Sequence, residues 1–460
     1  MVMWSLFQAN ARPRCRVKPR TAGEVAAVLR TVVAHSCLFA VRGGGTSPFA
    51  GVSNADGGVT IDLGLLSSIR IPEGDPTVVE VGGGVLWADL YRFLDPLSLS
   101  STGTRNSLTG IVGSILGGGI SFFSQRHGWS CDNVVDFEVV LANSTVVHAS
   151  EHTNPDLYWA LRGGGNNFGI VTSVVLDTFP QPPSWYTFQR WDIRALESVF
   201  ERLGQLTNNM PPNVQMVATT LGWSPHFQQF VISERLVGTS LPDLPKTLAI
   251  RNAGLRASTP VLEEYIHTKT TLEMAQKMDR MNEDGFFNYF GSSTVLSQTE
   301  INVKIANIFF EEVYHISDAV GIQVYMVYNP VTVPAMEQMR RRGGNALGLD
   351  PDSGPLTIVN INLHWSMDYD TPRMKTFMRR MIARIEAKAK IGGVHHPYIF
   401  LNHCFEEQEP LASYGEQNVA RLHDIRDTVD PRRVFHVLQP GHHKLGMPER
   451  DGGWAGKSEL

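Results

Sequence analysis

The sequence predicts a mixed α+β protein that is built from more than one domain. Its 460 residues exceed what one ordinary hydrophobic core accommodates. In the N-terminal part, short apolar strands alternate with short helices, and glycine-rich links join them. After Pro180-Gln181-Pro182-Pro183 the segments lengthen and the glycine triplets disappear. We therefore expect a domain boundary near residue 183.

Composition and charge exclude several classes of protein. Hydrophobic residues make up 42% of the chain and charged residues 18%, which is typical of a folded globular protein. The net charge of −5 disfavours a nucleic acid as the main partner. No apolar run is long enough to predict a membrane-spanning helix. The four cysteines form no CxxC motif, and adjacent histidines on a strand face opposite ways, so no metal site is expected.

The elements of the N-terminal part follow from local signals. Thr21 and Glu24 form a capping box that opens a helix with an apolar stripe. Asn154-Pro155 opens another helix, with asparagine as the cap and proline at the first position. A helix is also predicted over Trp87–Leu94, and strands over 38–41, 59–63, 77–81, 133–141, 146–150 and 170–179.

The segments after residue 183 are predicted in the same way. Helices are expected to begin at Thr259-Pro260 and Thr371-Pro372, where a capping residue again precedes proline. Strands are expected over 321–328, 356–364 and 398–401, and a final helix over 413–429.

The most informative motif is Arg42-Gly43-Gly44-Gly45-Thr46-Ser47, which follows the predicted strand 38–41. Consecutive glycines allow positive φ and let several backbone N–H groups point at one anion, most plausibly a phosphate. Further glycine-rich segments occur at 103–105, 110–119 and 162–172. Neither a GxGxxG nor a Walker A spacing is present. Together the segments predict a large flat ligand whose phosphates are threaded among backbone atoms.

With these motifs the chain resembles the FAD-linked oxidases of the berberine bridge enzyme-like group, particularly the fungal members. Matching stretches run from Arg14-Cys15-Arg16-Val17 to Gln439-Pro440-Gly441 and include Tyr414-Gly415-Glu416-Gln417-Asn418. The resemblance implies a two-part PCMH-type FAD-binding domain, formed by residues 1–182 and 397–460. It also implies a substrate domain over 183–396, with an antiparallel sheet covered by helices and FAD at the junction.

The resemblance also implies which residues contact FAD. The loop 43–47 would wrap the pyrophosphate, and the segment 103–119 would pass beside the isoalloxazine ring. Asn402 matches an asparagine of the family's Tyr-x-Asn-Tyr motif near the flavin. The candidate FAD-binding residues are Arg42, Gly43, Gly44, Gly45, Thr46, Ser47, Asn106, Gly110, Gly113, Ser114, Gly118, Ile170 and Val171.

The chain departs from the family at the positions that attach FAD covalently. Where members have a histidine bonded to the flavin 8α carbon, this chain has Thr46, and Asn106 replaces the cysteine bonded to C6. Neither side chain forms such a bond, so FAD is expected to be held non-covalently, or to have been lost. Val112 replaces a glycine and could crowd the cofactor. His403 replaces the second tyrosine of Tyr-x-Asn-Tyr.

His403 and Asn402 are the candidate catalytic residues. An unperturbed imidazole titrates near neutral pH, so His403 is expected to act as an acid or a base beside the flavin, although a structural role as a buried histidine stays open. Cys15 matches a cysteine that, in secreted members, pairs with one in an N-terminal segment that this sequence lacks. Cys15 is therefore expected to be free, which favours an intracellular over a secreted protein.

Three hypotheses about function stay open. The first is an FAD-dependent oxidoreductase of secondary metabolism, in which His403 removes a proton, a hydride passes to the flavin and O₂ reoxidises it. The second is a redox-neutral isomerase, dehydratase or cyclase on the same scaffold, with flavin structural or absent. The third is a non-catalytic protein that binds small molecules. Each implies a small natural product as partner, and no nucleic acid or membrane.

Overall fold

A computed structural model describes residues 3–239, 261–279 and 283–446, and it confirms the mixed α+β class. The described residues form sheets of eight, five, three and two strands. The smallest sheet pairs Leu99–Ser100 with Phe179–Pro180.

The N-terminal part contains the three-stranded and the five-stranded sheet. The first is parallel, in the order Cys15–Val17, Val59–Asp62, Phe39–Arg42. The second is antiparallel, in the order Ile69–Arg70, Val78–Gly82, Ile170–Asp177, Val134–Val140, Val146–Ser150. The accompanying helices are Leu6–Ala9, Ala22–Ala34, Trp87–Leu94, Ile111–Leu116, Ser124–His127 and Pro155–Leu161.

Most local predictions for this part are confirmed. The Thr21 hydroxyl accepts a hydrogen bond from the Glu24 N–H at 3.1 Å, as the capping box requires. The helix predicted over Trp87–Leu94 has those bounds. The strands predicted over 133–141 and 146–150 form the antiparallel pair Val134–Val140 and Val146–Ser150.

The largest sheet has eight strands, and all of its pairs are antiparallel. Their order is Val261–Lys269, Ser184–Asp192, Gln229–Gly238, Val214–Ser224, Gln323–Val331, Leu356–Trp365, Phe287–Leu296, His395–His396. Helices Leu196–Asn208, Thr299–Val313 and Thr371–Ile391 share one buried apolar core with its strands. This arrangement confirms the predicted antiparallel sheet covered by helices. The remaining helices are Thr271–Asp279, Val333–Gln338, Glu416–Val429 and Val434–Val437.

The central strand Leu356–Trp365 has different chemistry on its two faces, although both are buried. Val359, Ile361 and Leu363 belong to the core that the strand shares with the helices. The residues between them, Asn360, Asn362 and His364, lie on the opposite face because side chains alternate along a strand. A polar face is therefore presented toward the N-terminal part of the protein.

A short N-terminal segment, residues 3–9, connects this sheet to the first glycine loop. The Trp4 N–H donates to the Gly45 carbonyl at 3.3 Å, and the Leu6 N–H donates to the Phe286 carbonyl at 2.8 Å. The Trp4 ring also stacks on Phe290, with 5.4 Å between the ring centroids. One segment therefore contacts both the loop and the strand Phe287–Leu296.

Three predicted elements differ from the structure. Residues 398–401 form no strand, because a short 3-10 turn, Leu401–His403, follows directly. Thr259-Pro260 lies outside the described residues, and the residues that follow form the strand Val261–Lys269, so the predicted helix is wrong there. The last long helix begins at Glu416, after a 3-10 turn over Leu411–Tyr414.

The C-terminal residues pack against the N-terminal part. The Phe39 N–H donates to the Leu438 carbonyl at 2.7 Å, and the Tyr414 hydroxyl donates to the Gly163 carbonyl at 3.0 Å. The division of the chain at residues 182 and 396 stays a prediction.

Candidate functional site

A cavity of about 540 Å³ lies between the glycine-rich segments and the polar face of the large sheet. Its volume falls within the usual range for pockets that bind small molecules or cofactors. Most of the candidate residues from the sequence line it, namely Arg42, Gly43, Gly44, Gly45, Thr46, Ser47, Asn106, Gly110, Gly113, Ser114, Ile170, Val171, Asn402 and His403.

Two glycine segments meet backbone to backbone at the wall of this cavity. A Cβ atom added to Gly44 would lie 2.4 Å from the Gly110 nitrogen, and one added to Gly110 would lie 2.5 Å from the Gly44 nitrogen. Gly45 has a φ of 74°, in the left-handed region that favours glycine. These three positions therefore require glycine to keep the loop in place.

The helix Ile111–Leu116 borders free space inside the cavity. A Cβ added to Gly113 would meet nothing within 4 Å, so this backbone borders free space. Val112, which replaces a family glycine, also lines the cavity, but only 7% of it is exposed. The Ser114 hydroxyl accepts from Trp87 Nε1 at 2.9 Å. Room for a cofactor beside this helix therefore remains despite the valine.

Gly118 is the one candidate that does not line the cavity. A Cβ added there would lie 2.7 Å from the Trp129 ring, and its φ is 108°. The geometry gives Gly118 a packing role against Trp129. A contact of Gly118 with FAD stays a prediction.

Asn402 and His403 follow one another on the 3-10 turn Leu401–His403, and both line the cavity. Asn402 Nδ2 donates to the Ser114 carbonyl at 2.9 Å, which ties the turn to the helix Ile111–Leu116. The His403 ring packs edge-on against Phe290 and Phe400, with centroid distances of 4.8 and 5.4 Å. His403 Nδ1 lies 2.8 Å from the Asn360 amide nitrogen. The imidazole is thus fixed between the turn and the large sheet.

The expectation that His403 titrates near neutral pH is wrong for this structure. Burial, together with the nearby positive charge of Arg105, lowers the pKa of His403 to about 3. Its imidazole is therefore neutral at physiological pH. A neutral imidazole can still accept a proton or form hydrogen bonds, but its low pKa makes it a weak base by itself.

Several residues of the cavity wall were not among the candidates from the sequence. Tyr325, Asn329, Asn360 and Asn362 come from the large sheet, and Arg105 comes from the segment before the helix Ile111–Leu116. The sheet residues carry a readable signal, because Asn360, Asn362 and His364 recur at every second position of an otherwise apolar strand. Arg105 lies in the segment 103–119 that the resemblance places beside the flavin, but the sequence does not show that its side chain reaches the large sheet.

Burial disfavours the charged form of seven histidines in the described residues, and four of them have pKa values far below the ordinary value. The pKa is lowered to about 4 in His127 and His364, and to about 3 in His403 and His436. Each is neutral in the folded state but protonated in the unfolded state below about pH 6.5. These histidines therefore make their full contribution to the free energy of unfolding above about pH 6.5, and that contribution is lost as the pH falls toward 4.

We accordingly expect the melting temperature to fall steadily between pH 6.5 and 4. His364→Asn should flatten this dependence, since each such histidine contributes up to about 1.4 kcal/mol per pH unit. Thermal melts in a pH series check this. A melting temperature that stays constant from pH 7 to pH 4.5 would contradict it.

Comparisons with known proteins agree with this geometry. An FAD binding domain model matches residues 13–150. The chain is 32% identical over 458 residues to FAD-dependent monooxygenase FUP4 from Fusarium proliferatum, covering 96% of this chain and 87% of that protein. The chain belongs to the berberine bridge enzyme-like family of FAD-binding proteins.

Two further comparisons describe the range of the family. Bifunctional solanapyrone synthase from Alternaria solani is 28% identical over 445 residues, with 95% of this chain and 82% of that protein covered. The structure of BBE-like 1 from Physcomitrella patens superposes with a TM-score of 0.76 at 18% identity, covering 94% of this chain and 92% of that one. The family relationship confirms FAD as the cofactor class and FAD-dependent enzymes of fungal secondary metabolism as relatives.

Neither a metal-binding cluster nor a membrane-spanning helix occurs among the described residues. They contain no group of three or more histidine, cysteine, aspartate or glutamate side chains arranged to hold a metal ion. Among the same residues, every helix is too short or too polar to span a lipid bilayer.

Proposed function

We propose that this protein is an FAD-dependent oxidoreductase of secondary metabolism that holds its flavin without a covalent bond and acts on a small natural product. The observation that carries the proposal is that one cavity joins two different walls. One wall consists of the glycine segments that the family uses for FAD, and the facing wall is the amide-lined sheet. Thr46 and Asn106 line this cavity, and the resemblance matches them to the positions where other members form their flavin bonds.

The residues present suit FAD. Gly43, Gly44, Gly45 and Gly110 offer backbone without side chains, and Gly113 leaves open space beside its own helix, Ile111–Leu116. Ile170 and Val171 line the same cavity and would contact the adenine end. When bound, FAD supplies a two-electron acceptor, which O₂ would reoxidise in an oxidase.

His403 is proposed as the residue that receives or holds the substrate proton. Asn360 and the rings of Phe290 and Phe400 fix the imidazole at the cavity wall. Asn402 acts as a positioning residue, because its amide bonds the Ser114 carbonyl and so sets the turn that carries His403. The Asn360 amide donates to Nδ1, so the neutral ring carries its own proton on Nε2 and would receive a substrate proton at Nδ1, in place of that hydrogen bond.

One observation favours the alternative of a redox-neutral isomerase, dehydratase or cyclase. Val112 lies on the cavity wall where the family has glycine, although little of its side chain is exposed. An enzyme of this kind would use His403 and the amides of the sheet to move a proton or to orient a reactive chain, with FAD serving as structural support or absent.

The state of the flavin separates these proposals. We expect purified protein to show the flavin absorption bands and, after acid precipitation, to release the flavin into the supernatant. Thr46→His provides the matched positive control, because it restores the family's attachment residue. In that variant most of the flavin should remain with the precipitated protein.

Flavin that stays with the wild-type pellet would contradict the non-covalent proposal. A colourless preparation that still converts substrate would favour the redox-neutral alternative. Mass spectrometry of co-purified small molecules would identify the substrate for that assay.

A further inference from the structure

Arg105 places a half-buried positive charge at the wall of the candidate active site. Its guanidinium reaches across from the N-terminal part to the large sheet, where Nη2 donates to Asn329 Oδ1 at 2.6 Å. Its other hydrogen-bond contact in the described part of the chain is a weak one, from Nη1 to the Met216 sulfur at 3.9 Å. Both partners are neutral.

The described residues include no carboxylate within ion-pair distance of Arg105. The other arginine of the cavity wall, Arg42, is paired with Asp62 at 3.0 Å. Asp284, the acidic residue of the wall, is exposed and forms no ion pair with Arg105. Arg105 thus differs from Arg42 in having only neutral protein partners.

The surroundings increase the positive potential at this point. Burial lowers the pKa of Arg105 to about 10, and the positive charge of the nearby Arg235 contributes to the same shift. Arg105 therefore remains charged at neutral pH. A charge removed from water without an opposite charge is costly, and a ligand that supplies the opposite charge recovers much of that cost.

We propose that Arg105 is a specificity-determining residue that binds a delocalised oxyanion of the substrate, either a carboxylate or the enolate of a 1,3-dicarbonyl group. This inference rests on the proposed function, in that it takes the cavity to be the substrate site. A guanidinium suits such a group, because its parallel N–H donors match two oxygens that share one negative charge.

The position of Arg105 supports a role toward the substrate. It directly precedes Asn106 and contacts the strand Gln323–Val331 through Asn329. Its charge also reaches the His403 imidazole, whose pKa it lowers. An oxyanion bound at Arg105 would therefore lie within the electrostatic reach of the proposed proton acceptor.

The test uses pairs of probes that differ in charge but not in shape. FAD-saturated protein is titrated by calorimetry with benzoate and benzamide, and then with cyclohexane-1,3-dione and 3-methoxycyclohex-2-enone. The first member of each pair is the anion at neutral pH. We expect at least one anion to bind about tenfold or more tightly than its neutral counterpart, which is the usual scale of a charge-assisted bond.

Variants assign the preference to Arg105. Arg105→Met should abolish it, Arg105→Lys should keep part of it, and Arg126→Met should leave it unchanged because Arg126 is exposed and outside the cavity wall. A preference for benzoate alone would identify a carboxylate site, and a preference for the dione alone would identify an enolate site.

Three results would overturn the proposal. The first is equal affinity for both members of each pair in the wild type. The second is a preference that survives Arg105→Met, which would place the anion elsewhere, for example at the glycine loop. The third is an unchanged preference in Arg105→Lys and Arg105→Gln together with a lower melting temperature, which would give Arg105 a structural role. Loss of retained FAD in the wild type would instead count against the proposed function.

Discussion

Replacing Gly44 by alanine should deprive the protein of most of its FAD and lower its thermal stability. The new methyl group would lie 2.4 Å from the Gly110 nitrogen, where no flexible side chain can yield. The two glycine segments would have to separate, at a cost of about 1–3 kcal/mol for overpacking. Because the same loop is proposed to hold the FAD pyrophosphate, we expect FAD retention to fall by about tenfold or more.

Two matched glycine variants make this result interpretable. Gly23 is exposed in the first turn of the helix Ala22–Ala34, so Gly23→Ala should keep both FAD and stability. Gly113→Ala has room for its methyl group and lies in a helix, so it should fold normally but intrude on the cavity. The measurements are the flavin-to-protein absorbance ratio and the melting temperature. Full FAD retention in Gly44→Ala would contradict the proposed role of the loop.

His403→Ala should lower turnover at least about tenfold without unfolding the protein, since a positioned acid or base contributes roughly 10²–10⁴-fold. The side chain lies at the cavity wall, so its removal enlarges a space that already exists and leaves the sheet intact. The Asn360 amide would lose its imidazole partner, which is 2.8 Å away. Initial rates with the identified substrate, compared with near-ultraviolet circular dichroism, check both statements.

A control for this variant is His152→Ala, because His152 is exposed in a turn outside the cavity wall. Its rates should match those of the wild type. If His403→Ala turned over substrate as fast as His152→Ala, His403 would have no part in the reaction. A fall in turnover that is accompanied by a lost tertiary signal would show a structural role instead.

The sequence predicted local structure well because the signals for it are local. A capping hydroxyl at Thr21 and the apolar spacing over Trp87–Leu94 act within one or two helical turns. The glycine loop after residue 42 was equally readable, since its conformation depends on residues next to one another. The strand expected over 398–401 failed because nothing in four residues distinguishes a strand from an extended approach to a 3-10 turn.

The wall of the candidate site that the large sheet forms could not be predicted, because strand pairing decides which residues lie there. Asn362 lies beside Tyr325 on one side and Phe290 on the other only through the register of three strands. These residues are far apart in sequence, and their order in the sheet does not follow their order in the chain. The pKa of His403 was misjudged for a related reason, since Arg105 and the Phe290 ring come from other segments.

The N-terminal segment, residues 3–9, donates backbone hydrogen bonds to both Gly45 and Phe286 and so connects the two walls of the cavity. Gln8 strengthens this link, because its amide donates to the Ser47 carbonyl at 2.9 Å and accepts from the Ser53 N–H at 2.8 Å. A shift of the loop on cofactor uptake would therefore be transmitted to the sheet through a few stiff bonds. Binding of the cofactor to the loop would then change the position of the sheet wall to which the substrate binds. The affinity for substrate would therefore depend on whether the cofactor is already bound.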